Sequence, residues 1–233
     1  MNRYEDLPEL MTRMTGDEKH APSATSTLDV LWTLYDRVLR LTPESVDAPD
    51  RDRFLLSKGH GPMAFYAVLA AKGFIPSAWL DDFGRFDSPL GQHPDRNLIP
   101  GVEIASGSLG HGLPIALGVA LALDVRADTR ARVFVLIGDA ELDEGSNHEA
   151  IALAGRMRVE GLTAVVVDNA SAAHGWPSAA HGWLGGIERR FALEDWATAT
   201  VDGHDHSALA AALGGRATVR PRVVVARTSP KEA

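Results

Sequence analysis

The amino-acid sequence predicts an α/β protein with a parallel central sheet and helices on both of its faces. Three observations predict it. Arg132-Val-Phe-Val-Leu-Ile137 and Leu162-Thr-Ala-Val-Val-Val167 are near-continuous apolar runs of strand length, the pattern of strands buried on both faces. Stretches of helical period separate the strand-like runs along the chain. The order strand, helix, strand repeats, which implies parallel β/α units. No shift in composition divides the chain, so residues 1–233 are read as one domain.

Taken in order, residues 1–25 are mixed and polar, with Asp17, Glu18, Lys19, His20 and Pro22 close together. An amphipathic helix is expected from Ser26 to Leu41, because Leu28, Leu31, Leu34, Tyr35, Val38 and Leu39 fall at helical spacing. Pro43 and Pro49, with acids between them, mark a loop. Arg53 to Ser57 reads as a short buried strand. Gly59-His-Gly61 turns into a helix from Met63 to Lys72 that ends at Gly73. Phe83 to Pro100 is a long polar connection. Gly107 to Gly112 opens an apolar helix that runs to about Val125.

After the strand at 132–137, a loop with Gly138, Asp139 and Gly145 leads into a helix from Asn147 to Val159. The strand at 162–167 follows. Residues 170–190 form a Gly-, Ala- and Ser-rich loop containing Ala173 to Trp176 and Ala180 to Trp183, an echo too short to be a repeat. Helices near Ile187–Ala192 and Ser207–Thr218 then alternate with strands near Ala197–Val201 and Arg222–Ala226.

Composition excludes several classes. The chain is 45% hydrophobic and 23% charged, which is globular and not disordered. Lys and Arg number 23 against 31 Asp and Glu, and the formal charge of −8 argues against a basic nucleic-acid surface. With no cysteine there is no disulfide framework, thiolate nucleophile or thiolate zinc site. No signal-peptide core is present, and no run approaches the roughly 20 apolar residues that span a bilayer. A cytoplasmic enzyme without membrane or nucleic-acid partners is the expectation.

The chemistry concentrates in Gly138-Asp-Ala-Glu-Leu-Asp-Glu-Gly145 and in Asp168-Asn169. Asp139 ends one central strand and Asn169 the next, 30 residues later, enough for a loop, a helix and a returning strand. In a parallel sheet ligands bind at the carboxyl ends of strands, so the two side chains belong at one sheet edge if their strands are neighbours. A carboxylate and an amide oxygen are hard ligands of the kind Mg²⁺ takes together with phosphate oxygens. The N–H groups of the tight Gly138–Ala140 turn suit a diphosphate. The blander reading of Asp139 is a helix cap. Gly107-x-x-Gly-x-Gly112 is not in the order of a dinucleotide fingerprint.

These segments resemble the N-terminal, thiamine-diphosphate-binding half of a transketolase, in the form that occurs as a separate subunit. Six ordered stretches carry the resemblance: Ser57-Lys-Gly-His60, Gln92-His-Pro94, Gly107-Ser-Leu-Gly-His-Gly112, Gly138-Asp-Ala140 with Asn169, Glu141-Leu-Asp-Glu-Gly145 with Glu149 and Ala150, and Val201-Asp-Gly-His-Asp205. The resemblance as a whole covers about residues 20–228. The resemblance implies the thiamine-diphosphate-binding, PP-type fold, with thiamine diphosphate and Mg²⁺ as cofactors. Asp139, Asn169 and the carbonyl of Ser171 would bind the metal. Gly138, Ala140 N–H and His60 would meet the diphosphate, and the backbones of Gly107 and Leu109 the aminopyrimidine. His20, His60 and His93 would serve substrate chemistry near the thiazolium. Glu144 would belong to a glutamate network that links paired sites across a dimer.

The chain also departs from that pattern. The glycines of the family's SGHxGGS segment are gone from Glu18-Lys-His-Ala-Pro-Ser-Ala24, the family's GDG is Gly-Asp-Ala, and Ala173-His174-Gly175 stands after the metal asparagine. Ala140 fits only if its φ is negative. After the last strand the sequence reads Thr228-Ser-Pro-Lys-Glu-Ala233 in place of the family's longer loop. The cofactor-activating glutamate and phosphate-gripping arginines of the pyrimidine-binding domain find no place in this sequence. They are expected on a partner subunit, in a heterotetramer of two pairs.

Three functions follow. The first is transfer of a two-carbon ketol unit from a ketose, in phosphorylated form, to an acceptor. The second passes the same unit, as a glycolyl group, to a lipoyl or carrier-protein thiol. The third is a degenerate, non-catalytic partner subunit. Lys58 and most of the remaining histidines, His148, His174, His181, His204 and His206, read as surface, loop or supporting residues. His111 is read as a substrate contact or a helix cap.

Overall fold

The computed structural model describes residues 3–15, 21–59, 61–126, 131–170, 186–215 and 219–229. Five strands form one parallel sheet: β1 (Arg53–Leu56), β2 (Val133–Gly138), β3 (Leu162–Asp168), β4 (Ala197–Asp202) and β5 (Arg222–Arg227). Their spatial order is β1-β2-β3-β5-β4. All five are where the apolar runs predict them, to within a residue or so at each end. Gly138 lies opposite Val167, and Asp168 opposite Arg227, so the ends of β2, β3 and β5 are level.

Side chains of successive residues leave a strand on opposite faces, and here each face meets helices. Phe134 and Leu136 of β2 join one core with Val165, Val167, Val224 and Ala226. Val133, Val135 and Ile137 join the other with Ala164, Val166, Val223 and Val225. The first core is closed by α1 (Leu7–Thr12), α2 (Ala21–Thr33), α3 (Met63–Ala71) and α7 (His206–Gly214). The second is closed by α4 (Gly112–Val125), α5 (Gly145–Arg156) and α6 (Ile187–Leu193). The edge strand β4 is less deeply buried, and its residues alternate between half-buried and exposed.

Several boundaries differ from expectation for identifiable reasons. The polar N-terminal stretch hides a short helix, α1, whose Leu7 and Leu10 are buried along with Met14. The helix expected from Ser26 starts at Ala21, with Pro22 in its first turn, where a missing N–H costs nothing. It closes in a π-helical turn, Leu34–Val38, and ends before Leu41 because Leu39 is extended. The helix expected to open at Gly107 starts at Gly112 instead. Gly107 and Gly110 have φ of +128° and +82°, which helices do not accept.

The amino end of the sheet is clamped by Asp52, which is fully buried. It accepts from the Arg40 and Arg132 backbone N–H groups at 2.9 Å each and pairs with both guanidinium groups. The carboxyl end is left for the polar residues. Among the described residues, no helix is long and apolar enough to cross a membrane.

Candidate functional site

The loops after β1, β2 and β3 stand side by side. Ser57 and Lys58 follow β1, and both their N–H groups donate to the Leu136 carbonyl, at 2.9 and 3.1 Å. Asp139 follows β2, and its N–H donates to the Val167 carbonyl of β3 at 3.1 Å. Asn169 lies one residue beyond β3. The two residues predicted to share a sheet edge therefore do so, and each is only 2% exposed.

Asp139 Oδ1 accepts the Ala140 N–H at 2.9 Å and caps a short 3-10 turn, Ala140–Asp143. Capping does not exhaust a carboxylate, which keeps further lone pairs. Ala140 opens that turn and is not among the residues of positive φ, so alanine in place of glycine is unstrained here. The Asn169 amide nitrogen donates to Ser26 Oγ at 3.1 Å, which turns its Oδ1 the other way. Lys58 Nζ donates to the same Ser26 oxygen at 3.2 Å.

Lys58 was expected as a surface or supporting charge, but it is only 8% exposed. Its stem runs across Gly138, where a Cβ would lie 3.4 Å from Lys58 Cδ. An ammonium buried at the ends of three strands attracts anions. The sequence carries this signal faintly, in a lysine directly after a buried strand. Nothing local marks Ser26.

The turn before α4 comes up against the same edge. A Cβ on Gly59 would lie 2.6 Å from Gly107 N, and one on Gly107 would lie 2.9 Å from His93 Cδ2. Gly59, Gly107 and the His93 imidazole are thus stacked at distances that only glycine allows. The Ser106 N–H donates to the Pro94 carbonyl at 3.1 Å and ties the His93 loop to this turn. Leu109 lies in the turn, half-buried.

Glu141 received no role from the sequence. It is 2% exposed and accepts hydrogen bonds from Ser57 Oγ, from Gly110 N–H at 2.9 Å and from Gly138 N–H at 3.3 Å. Burial raises its carboxyl above the ordinary glutamate value, against the pull of those bonds. Glu144 is exposed, and its Cβ packs over Gly110.

His20, His60 and Ser171 lie outside the described residues, as do His174 and His181. His111 is exposed at the head of α4 and makes no capping bond, so the cap reading fails. His204 and His206 are not plain loop residues. Their ring nitrogens pair with the two oxygens of Asp29 at 2.8 and 2.7 Å, and Tyr4 donates to Asp29 at 2.5 Å. His148 is engaged by Arg190 at 2.7 Å.

Among the described residues no cluster of three or more His, Asp or Glu is placed to hold a metal. The donors at the sheet edge are one carboxylate and one amide oxygen. That set suits a cation completed by phosphate oxygens and water, as Mg²⁺ usually is.

The carboxyl edge of this parallel sheet gathers an acid, an amide, a lysine and tight glycine turns, at the edge where ligands of α/β proteins bind. Residues 14–229 match the family described as "Transketolase, thiamine diphosphate binding domain", and the chain belongs to that family. It is 55% identical over 230 residues to a protein of Rhodococcoides fascians named Ferredoxin fas2, covering 99% of this chain and 73% of that one. It is 33% identical over 211 residues to the 6-deoxy-6-sulfo-D-fructose transketolase subunit SqwG of a Clostridium species, covering 90% of this chain and 76% of that one. Among solved structures, the transketolase of Campylobacter jejuni superposes with a TM-score of 0.74 at 24% identity, over 98% of this chain. This chain spans only 38% of that enzyme. The fold and the family are those of a thiamine diphosphate-dependent, transketolase-like transferase.

Proposed function

We propose that this chain is the thiamine diphosphate- and Mg²⁺-binding part of a two-component transketolase-like enzyme, which moves a two-carbon ketol unit from a ketose donor to an acceptor. The observation that carries the reading is the placement of buried Asp139 and Asn169 just past the ends of the neighbouring strands β2 and β3. The residues fit the group. Asp139, Asn169 Oδ1 and the Ser171 carbonyl would hold Mg²⁺. Gly138, Ala140 N–H and His60 would meet the diphosphate, with Lys58 offsetting its charge. The backbones of Gly107 and Leu109 would meet the aminopyrimidine. When bound, the cofactor supplies the electron sink for carbon–carbon cleavage. The chain's own part is to bind, to orient and to move protons at substrate hydroxyls, work suited to His93 together with His20 and His60.

The pyrimidine-binding part, with the cofactor-activating glutamate, belongs to a partner subunit in this reading. Two such pairs form a heterotetramer, with Glu144 in the glutamate network between sites. Support comes from a relative named as a transketolase subunit. That relative's name also favours a ketose carrying an acidic group, such as a ketose phosphate, as donor. The name of the Rhodococcoides relative raises electron transfer. Ferredoxin clusters are held by cysteine thiolates, and these 233 residues contain none, so that role is not proposed for the region the two share.

The test is copurification with the pyrimidine-binding part, calorimetry with thiamine diphosphate and Mg²⁺, and a screen of ketose phosphates. Tight cofactor binding and release of a shortened aldose are expected. A reconstituted pair that binds no cofactor is instead the degenerate subunit. Release of the aldose with the two-carbon unit ending as an acyl group on a lipoyl carrier, whose disulfide is the oxidant, and with no lengthened ketose, would establish the carrier-directed alternative.

A further inference from the structure

We propose that Glu141 is a positioning residue of this site: one buried carboxylate that sets the spacing between the turn at 107–112 and the turn at 138–140. The proposal rests on the reading above, in which those two turns face the two ends of the cofactor.

The first amides of a helix need acceptors from outside it. α4 begins at Gly112, and its N-cap residue His111 offers no side-chain bond. For the first of these amides the acceptor comes from another loop: Gly112 N–H donates to Ser57 Oγ at 3.0 Å. Two residues earlier, in the turn that leads into α4, Gly110 N–H donates to Glu141 Oε1 at 2.9 Å. The single Ser57 hydroxyl proton is in turn donated to Glu141 Oε1. Glu141 Oε2 accepts the Gly138 N–H at the end of β2. The loop after β1, the turn before α4 and the end of β2 therefore all meet at one carboxylate. A negative group at the start of a 14-residue helix is favourably placed.

The anchor is itself held. The Glu141 carbonyl accepts Asn147 Nδ2 at 2.7 Å and the Glu144 N–H at 3.1 Å. There is no slack on the other side either. A Cβ on Gly112 would lie 2.2 Å from Ser57 Cβ, so α4 starts pressed onto Ser57. A shift of the Glu141 carboxylate moves the 107–112 turn with it. Glutamine cannot replace it. Both backbone partners are donors only, and an amide puts its NH₂ against Gly138 N–H in one orientation or against Gly110 N–H in the other. Exposed Glu144 touches Gly110 from outside and cannot substitute.

The experiment compares the full chain with its Glu141→Gln and Ser57→Ala variants by amide hydrogen exchange and thermal melting. Thiamine diphosphate with Mg²⁺ is then titrated into each chain paired with its pyrimidine-binding part. For Glu141→Gln we expect faster exchange confined to residues 107–112 and 138–140, and a cofactor Kd weakened about 10-fold or more. Ser57→Ala should change both in the same direction by less. A lower melting temperature with unchanged cofactor affinity would show Glu141 to be structural only and overturn the proposal. If Glu141→Gln does not fold, Ser57→Ala decides, and unchanged exchange at 107–112 overturns it. A wild-type pair that binds no cofactor overturns the underlying reading as well. Wild-type binding matched by Glu141→Gln overturns the positioning role alone.

Discussion

The Asn169 amide meets the Ser26 hydroxyl at 3.1 Å across 143 residues of sequence. The bond ties α2 to the end of β3 and decides which side of the Asn169 amide is turned away from the helix. Lys58 shares the same oxygen. One hydroxyl thus orders an amide and an ammonium at the sheet edge where Asp139 also lies.

Ser26→Ala removes that orienting bond and leaves Asn169 in place. The Mg²⁺ concentration that half-saturates cofactor binding should rise about 10-fold, as is usual when a residue behind a metal ligand is lost. Calorimetry of the reconstituted pair across a Mg²⁺ series measures it. An unaltered Mg²⁺ requirement would mean that Asn169 is oriented without Ser26.

Asp139→Ala should abolish Mg²⁺-dependent binding of thiamine diphosphate and keep a folded circular dichroism spectrum. The residue sits past the end of β2, outside the two apolar cores. Full cofactor binding by this variant would refute the metal assignment.

Gly110→Ala tests the turn before α4. Its φ of +82° disfavours alanine, and the added Cβ would lie 2.5 Å from Glu144 Cβ. A residue forced into that region costs about 1–3 kcal/mol, and the melting temperature should fall by roughly 5 °C or more. An unchanged melting curve would show that this turn has room to move.

Asp52 sets an acid limit on stability. Burial pushes its carboxyl up, but hydrogen bonds from Arg132 and Arg40 outweigh that and hold it below the ordinary aspartate value. Its contribution is therefore complete above the unfolded value of about 3.9 and is lost as pH falls through the lower folded value. Asp52→Asn should cost about 2–3 kcal/mol at pH 7, at or below the range for a broken buried pair because Arg40 and Arg132 keep some solvent. Urea unfolding at pH 7 and pH 3 checks both points. The variant should lose less than wild type on acidification, and an equal loss would place the acid sensitivity elsewhere.

Much of the fold was legible from local pattern. β2 and β3 announce themselves as apolar runs because both their faces are covered. α1 escaped because only three of its neighbourhood's residues, Leu7, Leu10 and Met14, carry the buried side. The late start of α4 escaped because apolar periodicity does not register the positive φ of Gly107 and Gly110.

The site divides in the same way. The chain's sequence by itself determined that Asp139 and Asn169 close consecutive strands, since strand and loop lengths between them are local quantities. It also determined the cysteine-free, acidic composition that rules out thiolate chemistry. Only the tertiary structure decided that Lys58 is buried, that Ser26 orients Asn169, that Glu141 gathers three loops, and that His204 and His206 close on Asp29. Those outcomes depend on side chains reaching between elements far apart in the chain. Burial and hydrogen bonding belong to the neighbours a residue acquires on folding, and no spacing along the chain encodes them.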